Sequence, residues 1–142
     1  MDVPFPVTRL RPEIPMPEYK TPGAVGFDIG VSEAATIGPG ETKILSTGLI
    51  VRVPEGYWLM LASRSSNAKK RLIMANGIGV IDQDYCGPND ELHLAIHNAG
   101  PTAYEVQNGE RLAQGILIPI ARGAFTETAA EGSSRGGFGS TG

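Results

Sequence analysis

This sequence has a single cysteine, no long apolar run and no signal-peptide pattern in its first residues. Its only cysteine, Cys86, excludes an internal disulfide framework and fits a reducing compartment. No apolar run approaches the roughly 20 residues needed to span a membrane. Residues 1–6 lack the charged-then-apolar pattern of a signal peptide. We therefore expect a soluble, cytoplasmic protein that has no membrane contact.

Positive charge is also scarce. The chain has 12 lysines and arginines against 15 acidic residues, a formal net charge of −3 and a pI near 5.3. A general nucleic-acid binder would show a basic face with clustered lysine and arginine. The single basic cluster, Lys69-Lys70-Arg71, is too short to supply one. We expect no nucleic-acid partner.

Glycine and proline, by contrast, are abundant and spread through the chain. The 19 glycines and 11 prolines separate short segments rich in Val, Ile, Leu, Thr and Tyr, the pattern of an all-β sandwich or barrel. A length of 142 residues suits one domain. Strands are predicted over 41–46, 49–53, 56–62, 72–75, 78–81, 91–97, 104–107 and 112–118. Turns are expected at 38–40, 54–56 and 108–109, and one short helix over 66–71, capped by Ser65 or Ser66.

The segment around Asn76-Gly77 carries the strongest functional signal. This dipeptide predicts a tight hairpin in which the apolar residues on its two sides pair as antiparallel strands. Asp82 then lies at the end of the second strand, near a cleft, with Asp84 as a second carboxylate. In a regular strand Asp82 and Asp84 would point to one side and Tyr85 to the other. Tyr85 can share their pocket only if the pleat breaks after Asp82.

The C-terminal residues 121–142 lose the strand pattern and cannot bury themselves. A disordered tail is the simpler interpretation. Arg135 and Phe138 favour a binding role, since Arg can offset phosphate charge and Phe can stack on a base, while glycine-rich backbone N–H groups can contact phosphate oxygens.

Five blocks, in order, carry a family resemblance from about residue 17 to residue 142. They are Ala24-Val25-Gly26-Phe27-Asp28-Ile29; Ser63-Arg64-Ser65-Ser66; Gly79-Val80-Ile81-Asp82-Gln83-Asp84-Tyr85-Cys86-Gly87; Gly109-Glu110-Arg111-Leu112-Ala113-Gln114; and Gly136-Gly137-Phe138-Gly139-Ser140-Thr141-Gly142. Together they resemble the trimeric deoxyuridine triphosphate nucleotidohydrolases, the dUTPases. The resemblance implies an all-β, distorted jelly-roll or β-barrel fold of the β-clip type, with one short helix and a flexible C-terminal arm.

The resemblance also implies a reaction: dUTP and water give dUMP and pyrophosphate, by water attack on the α-phosphorus with Mg²⁺ as cofactor. This activity limits uracil incorporation into DNA and supplies dUMP for thymidylate synthesis. Asp82 matches the general base. Asp28 matches a carboxylate that acts on the metal through water.

Substrate contacts follow from the same resemblance. Tyr85 matches the residue that packs on deoxyribose and excludes a 2′-hydroxyl, and Asn76 matches one that reads uracil alongside backbone groups. The remaining matched positions contact phosphates or line the nucleotide site; they are Arg64, Ser65, Ser66, Val80, Ile81, Gln114, Arg135, Phe138, Gly139, Ser140 and Thr141. The family forms homotrimers, which implies a β-domain over 1–120 and an arm over 121–142 that completes a neighbouring subunit's site.

The chain departs from the family pattern at four places. Ser63 and Ser66 stand where proline and glycine are usual, and the path from this block to Asn76 is one residue shorter and lacks a glycine. Residues 88–90 are additional. Arg135 lies three residues before Phe138 instead of five, and Ser133 holds the usual place.

Two alternatives share parts of the pattern. A dCTP deaminase, or a bifunctional deaminase and diphosphatase, would have a catalytic glutamate where this chain has Leu94, Ala95 and Ile96. A non-catalytic trimer that binds nucleotide and signals to a protein partner would need neither Asp82 nor a complete arm. His93 and His97 are interpreted as surface or interface residues, because four strand residues span about 13 Å, too far for one metal ion.

Overall fold

Short strands separated by glycine and proline turns make up most of the structure, a computed structural model that describes residues 2–140 and 142. The strands are β1 (Val7–Arg9), β2 (Phe27–Gly30), β3 (Ala35–Ile37), β4 (Thr42–Ser46), β5 (Leu49–Val51), β6 (Tyr57–Ser63), β7 (Leu72–Met74), β8 (Gly79–Ile81), β9 (His93–Asn98), β10 (Tyr104–Val106) and β11 (Arg111–Pro119). The helix α1 covers Asn67–Lys70. Within the described chain, no helix is long and apolar enough to cross a membrane.

The strands pair antiparallel in four sheets. The largest has the order β2-β11-β6-β8, the second has the order β4-β9-β7, and β1 with β5 and β3 with β10 form two-stranded sheets. In the described part of the chain these sheets do not close into a barrel. The fold is all-β and jelly-roll-like with one short helix, as the sequence predicted.

Alternation of side chains along the strands builds the core. Leu92 directly precedes β9, and Leu94 and Ile96 lie within it. All three are at most 1% exposed, as their alternating spacing predicts. In β6, Leu59 and Leu61 face inward and are equally buried. Residues between them point outward, since successive strand side chains alternate between faces. One buried cluster, to which strands of all four sheets contribute, forms the core.

All eight predicted strands are present, with ends within two residues of those expected. The three predicted turns are also confirmed, with Gly40, Gly56 and Gly109 in the left-handed conformation. The strands β1, β2 and β3 were missed. They have only three or four residues, and each pairs with a strand distant in sequence, β5, β11 and β10 respectively. Pairing of this kind leaves little local pattern.

The predicted pairing across Asn76-Gly77 is wrong. A turn does form, because Gly77 N donates to Met74 O at 2.9 Å, but only Gly77 has a positive φ. A two-residue type I′ hairpin would need positive φ at both residues. Instead β7 pairs with β9, and β8 pairs with β6. The two strands diverge into different sheets because each finds a longer partner there.

The helix α1 also differs at its ends from the expectation. Ser66 occupies the N-cap position, but its side chain makes no capping hydrogen bond. At the other end Arg71 has φ 55°, the left-handed conformation in which glycine is usual. Arg71 thus adopts the left-handed conformation in a segment that lacks the glycine of the family pattern.

A half-buried polar cluster ties α1 to the loop before β11. The Glu110 carboxylate accepts hydrogen bonds from Tyr104 Oη at 2.8 Å and Lys70 Nζ at 3.1 Å. Burial alone would raise the pKa of Glu110, but hydrogen bonds from Gln107 N, Tyr104 and Lys70 outweigh it and hold the pKa below its ordinary 4.5. Burial and the bond to Glu110 raise the pKa of Tyr104 to about 12.

Glu110→Gln tests this cluster through the pH dependence of stability. A carboxylate whose pKa is lowered on folding stabilises the protein fully above its unfolded pKa of 4.5, and this contribution disappears as pH falls through the folded pKa. We expect the variant to lose about 1 kcal/mol, or roughly 3 °C in Tm, at neutral pH. Thermal unfolding should show a smaller loss at acid pH. The exposed Glu55→Gln is the control, and an equal loss at both pH values would contradict the assignment.

Candidate active site

The strand β11 brings the first, second and fourth sequence blocks together. It pairs with β2 on one edge, where Gln114 lies opposite Asp28, and with β6 on the other, where Ala113 lies opposite Ser63. Gln114 Nε2 donates to Ser63 O at 3.0 Å. Three segments separated in sequence therefore meet at one end of the sheet.

Two glycines permit this close approach. A Cβ atom at Gly26 would lie 2.8 Å from Gln114 Oε1, and one at Gly115 would lie 2.5 Å from the Phe27 ring. Real Cβ contacts are essentially never that short, so larger residues would displace Gln114 or Phe27. The glycine in the first block is thus needed for the placement of a side chain in the fourth.

Asp28 lies between two guanidinium groups. Arg64 Nε contacts Asp28 Oδ1 at 2.8 Å, and Arg111 Nη1 contacts Asp28 Oδ2 at 3.0 Å. Arg64 Nη1 also donates to the Arg111 carbonyl at 3.1 Å. The Asp28 side chain is 18% exposed, so these charge-assisted bonds are partly shielded from water. Together the three residues form a closed ring, which restrains the Arg64 guanidinium and leaves its other N–H groups for an anion.

The buried Asn67 supports the segment that carries Arg64. Its side-chain amide donates to Ser63 Oγ at 3.0 Å and to Leu112 O at 2.7 Å, and the residue is 1% exposed. Ser65 is exposed and Ser66 is half-buried. Ser66 Oγ and Asn67 Oδ1 are buried and have no hydrogen-bond partner within the described chain.

Asp82 lies where β8 ends, as predicted. The strand stops at Ile81, and Tyr85 N donates to Asp82 O at 3.3 Å, so the chain turns directly after Asp82. This turn breaks the pleat after Asp82, but Tyr85 is not among the residues that line the cleft of the two carboxylates. Asp82 and Asp84 both line a cleft of about 420 Å³, together with Tyr57, Trp58, Gln83, Ile120 and Arg122.

The other residues of the third block lie nearby on the surface. Tyr85 is 36% exposed and Val80 is 59% exposed, whereas Ile81 is half-buried. Asn76 is exposed at the turn. Since β7 and β8 pair with different strands, the second edge of each has no strand partner among the described residues.

The predicted arm residues are fully accessible. After Ile120 the described chain has neither strand nor helix, and Arg135, Phe138, Gly139 and Ser140 are exposed. Phe138 has φ 50°, and the turn that follows it brings Ser140 N to within 3.2 Å of Gly137 O. Thr141 lies outside the described residues. The domain boundary at residue 120 remains a prediction.

A single chain does not bring all predicted site residues together. The register places Ile81 opposite Leu59, so Asp82 follows at the Trp58 end of β6, while Arg64 follows the Ser63 end. Six strand residues separate these ends by about 20 Å. Asp82 and Tyr85 therefore form one group within the chain, and Asp28, Arg64 and Gln114 form another.

The carboxylates do not form a closed metal site. No group of three or more His, Cys, Asp or Glu side chains that could hold a metal ion occurs within residues 2–140 and 142. Magnesium in nucleotide enzymes is usually held by substrate phosphates, waters and one or two carboxylates. Asp28 fits that donor set, because each of its oxygens bonds one guanidinium and retains a second lone pair for a metal-bound water.

Sequence reasoning assigned no role to Arg111 or Glu91. Arg111 stands three residues before Gln114 in the fourth block, but only the pairing of β11 with β2 places it beside Asp28. The main-chain carbonyl of Glu91 accepts a hydrogen bond from the Tyr85 hydroxyl at 2.9 Å. A backbone acceptor leaves no side-chain signal in a sequence.

Curated relatives match nearly the whole chain. A deoxyuridine 5′-triphosphate nucleotidohydrolase of Methylococcus capsulatus is 34% identical and aligns with 95% of this chain and 92% of its own length. The protein of the same description from Desulfitobacterium hafniense is 40% identical, with 89% of this chain and 87% of the relative covered.

Solved structures agree with these relatives. The dUTPase of Streptococcus mutans superposes with a TM-score of 0.78 at 31% identity, covering 85% of this chain and 98% of that one. The Staphylococcus bacteriophage 80alpha dUTPase with dUPNHPP has a TM-score of 0.86 at 26% identity, with 98% of each chain covered. A mutant dUTPase from phage phi11 of S. aureus, which coordinates a structural Mg(II) ion, has a TM-score of 0.82 at 25% identity and covers 92% of this chain and 100% of its own. A family model described as dUTPase matches residues 12–142, and the chain therefore belongs to the dUTPase family.

Proposed function

We propose that the chain hydrolyses dUTP to dUMP and pyrophosphate, with Asp82 as the general base for water attack on the α-phosphorus. The observation that supports this mechanism is the turn directly after Ile81. Asp82 lines a cleft there, and the Tyr85 backbone N lies 3.3 Å from Asp82 O. A carboxylate and an aromatic ring in that arrangement can orient a water and a sugar at the same time.

Asp82 takes a proton from the attacking water. Phosphoryl transfer needs an oriented nucleophile and positive groups that face the developing charge, and little covalent chemistry from the protein. Asp84 lines the same cleft and is the competing candidate. The sequence block favours Asp82, because it is the residue directly at the strand end, where the backbone is held by pairing of Ile81 with Leu59.

Arg64 provides the positive charge for the phosphates. Its guanidinium is restrained by Asp28 and by the Arg111 carbonyl, so less conformational entropy is lost when it binds an anion. Ser65 offers an exposed hydroxyl group beside it, whereas the unpartnered Ser66 Oγ is buried and would bond a phosphate oxygen only after the segment moves to uncover it. Gln114 lies next to this group through its bond to Ser63.

Magnesium is the proposed cofactor. Bound together with the nucleotide, the ion would supply positive charge and Lewis acidity to the phosphates. Asp28 is the residue that would hold it, through water and not directly, since both of its oxygens already accept charged hydrogen bonds.

The divergence of β7 and β8 supports recognition of uracil at the turn. Backbone groups on the two facing edges are not used by strand pairing in the described chain, so they can bond the pyrimidine edge alongside the Asn76 amide. Val80 and Ile81 continue the same strand edge. Rejection of thymine requires that this turn leave no room for a 5-methyl group.

A homotrimer is the proposed assembly, with sites completed by neighbouring copies. Two observations support it. Asp82 and Arg64 lie at opposite ends of β6, so one chain alone cannot place both on one substrate. In addition, the outer face of the largest sheet is apolar: Met60 lies opposite both Val80 and Ile116, and Trp58 lies opposite Ile118. An apolar face of this kind is typical of a surface covered by a partner.

The arm over 121–142 is proposed to close over a neighbouring subunit's site. Its exposed Phe138 would stack on uracil, and residues 139–141 would contact the phosphates. Arg135 would face phosphate charge from a position two residues nearer to Phe138 than the family pattern has it. Ordering of such a segment on ligand binding would exclude water during the reaction.

Asp82→Asn tests the base. We expect release of pyrophosphate from dUTP with Mg²⁺ to fall at least about a hundredfold, because an amide cannot accept the proton. Asp84→Asn is the matched variant in the same cleft and should retain much more activity. Equal rates for wild type and Asp82→Asn would remove Asp82 as the base, and absence of release by wild type would favour a nucleotide-binding module. Chelation of Mg²⁺ should abolish release, and dCTP, dTTP and UTP should be poor substrates.

Arg111→Met tests the ring of charges around Asp28. Without Arg111, Asp28 loses one of its two charged bonds and Arg64 becomes less restrained. We expect kcat/KM for dUTP to fall by about tenfold, the effect of one charged hydrogen bond. Arg52→Met is the control, since Arg52 is exposed and its side chain makes no hydrogen bond within the described chain. Steady-state kinetics give kcat/KM for dUTP in both variants. Equal kcat/KM values for Arg111→Met and Arg52→Met would contradict a role for the ring of charges around Asp28.

Met60→Glu tests the assembly face. A buried charge at the centre of an apolar interface is costly, so the variant should lose its oligomeric state in light scattering and, with it, dUTP hydrolysis. Ile44→Glu on β4 is the control, because Ile44 is 65% exposed on the other sheet. Dissociation caused by Ile44→Glu and not by Met60→Glu would place the interface on the β4-β9-β7 sheet instead.

A further inference from the structure

The Tyr85 side chain is held at its far end by its own chain. Tyr85 Oη donates to Glu91 O at 2.9 Å, and the Tyr85 backbone N donates to Asp82 O at 3.3 Å. The residue nevertheless remains 36% exposed. One surface of the ring is therefore open to a ligand, while both ends of the residue are restrained relative to Asp82.

The acceptor of this bond belongs to a rigid part of the fold. The Glu91 carboxylate accepts Gly48 N at 2.6 Å, and the next residue, Leu92, donates its N–H to Leu49 O at 2.8 Å. Leu92 is 1% exposed and Leu49 is 4% exposed. The Glu91 carbonyl is thus attached on both sides to the buried β4–β5 connection, and it cannot move without disturbing the core.

The residues between Tyr85 and Glu91 form a tight turn that Asp90 closes. Gly87 N donates to Asp90 Oδ2 at 2.7 Å, and Asp90 N donates to Gly87 O at 3.1 Å. A Cβ atom at Gly87 would lie 3.0 Å from Asp90 Oδ2, so the carboxylate can approach this closely because residue 87 is glycine. The turn contains residues 88–90, which the family pattern lacks.

We infer that Asp90 and Glu91 are positioning residues for sugar specificity, which hold the Tyr85 ring at a constant distance from the nucleotide. This inference rests on the proposed function, in which the ring packs on deoxyribose. A ring excludes a 2′-hydroxyl by steric clash only if it cannot retreat from the added oxygen. The bond from Tyr85 to Glu91 prevents that retreat, and the Asp90 turn presents the Glu91 carbonyl at the required place.

The inference predicts a specific kinetic effect. When the restraint is weakened, the ring can move to admit a ribose, so the ratio of kcat/KM for dUTP to kcat/KM for UTP falls. A general loss of stability would lower both values and leave their ratio unchanged. The ratio therefore separates a positioning role from a structural one.

Tyr85→Phe and Asp90→Ala are the test variants, and Asn89→Ala is the matched control. Asn89 is exposed in the same turn, and its side chain makes no hydrogen bond within the described chain. We expect the dUTP to UTP ratio to fall by about threefold to tenfold in Tyr85→Phe, the effect of one neutral hydrogen bond. Asp90→Ala should also lower the dUTP to UTP ratio, and Asp90→Asn should have a ratio closer to that of wild type. Asn89→Ala should leave the ratio unchanged.

The double variant Tyr85→Phe with Asp90→Ala tests the route of the effect. If Asp90 acts through the tyrosine hydroxyl, the double variant should have the ratio of Tyr85→Phe alone. Additive effects would overturn the role of Asp90, and an unchanged ratio in both single variants would overturn the whole inference. The ratio of the Kd values of UTP and dUTP, measured by calorimetry, tests the restraint without turnover. It can be measured even if wild type releases no pyrophosphate. That last result would contradict only the proposed function.

Discussion

Pairing of β11 with both β2 and β6 is the contact on which the rest of the site depends. It places Gln114 opposite Asp28 on one edge and Ala113 opposite Ser63 on the other. The Phe27 ring can lie against β11 because residue 115 has no side chain. Without this pairing, Asp28, Arg64 and Arg111 would have no reason to meet, because 83 residues separate the first from the last.

The structure divides the candidate site residues into two groups. One consists of Asp28, Arg64 and Arg111, joined by charged hydrogen bonds at the Ser63 end of β6. The other consists of Asp82 and Tyr85, held by the turn after β8. Each group is ordered within one chain, so the proposed assembly would complete a site by docking neighbouring chains. In the proposed assembly the residues of both groups are in place before docking, and only the arm becomes ordered on ligand binding, which lowers the entropic cost of forming the site.

Several local features could be predicted from the sequence because each depends on neighbouring residues. The alternation of Leu92, Leu94 and Ile96 predicted their burial. The pleat also breaks after Asp82, at the turn to Tyr85. The hairpin prediction at Asn76-Gly77 was wrong for a different reason. Turn chemistry was correct for Gly77, but tertiary pairing with β9 and β6 determined the partners of the two strands.

The sequence by itself determined the fold class and the family, and it identified nearly all candidate site residues, because strand periodicity, turn residues and motif spacing are local along the chain. Tertiary structure alone decided which strands pair, that Arg111 contacts Asp28, and that the Tyr85 hydroxyl bonds the Glu91 carbonyl. These contacts join residues through register and through main-chain acceptors. Neither is encoded in side-chain identity at a single position, since any residue supplies a carbonyl and register depends on the whole sheet.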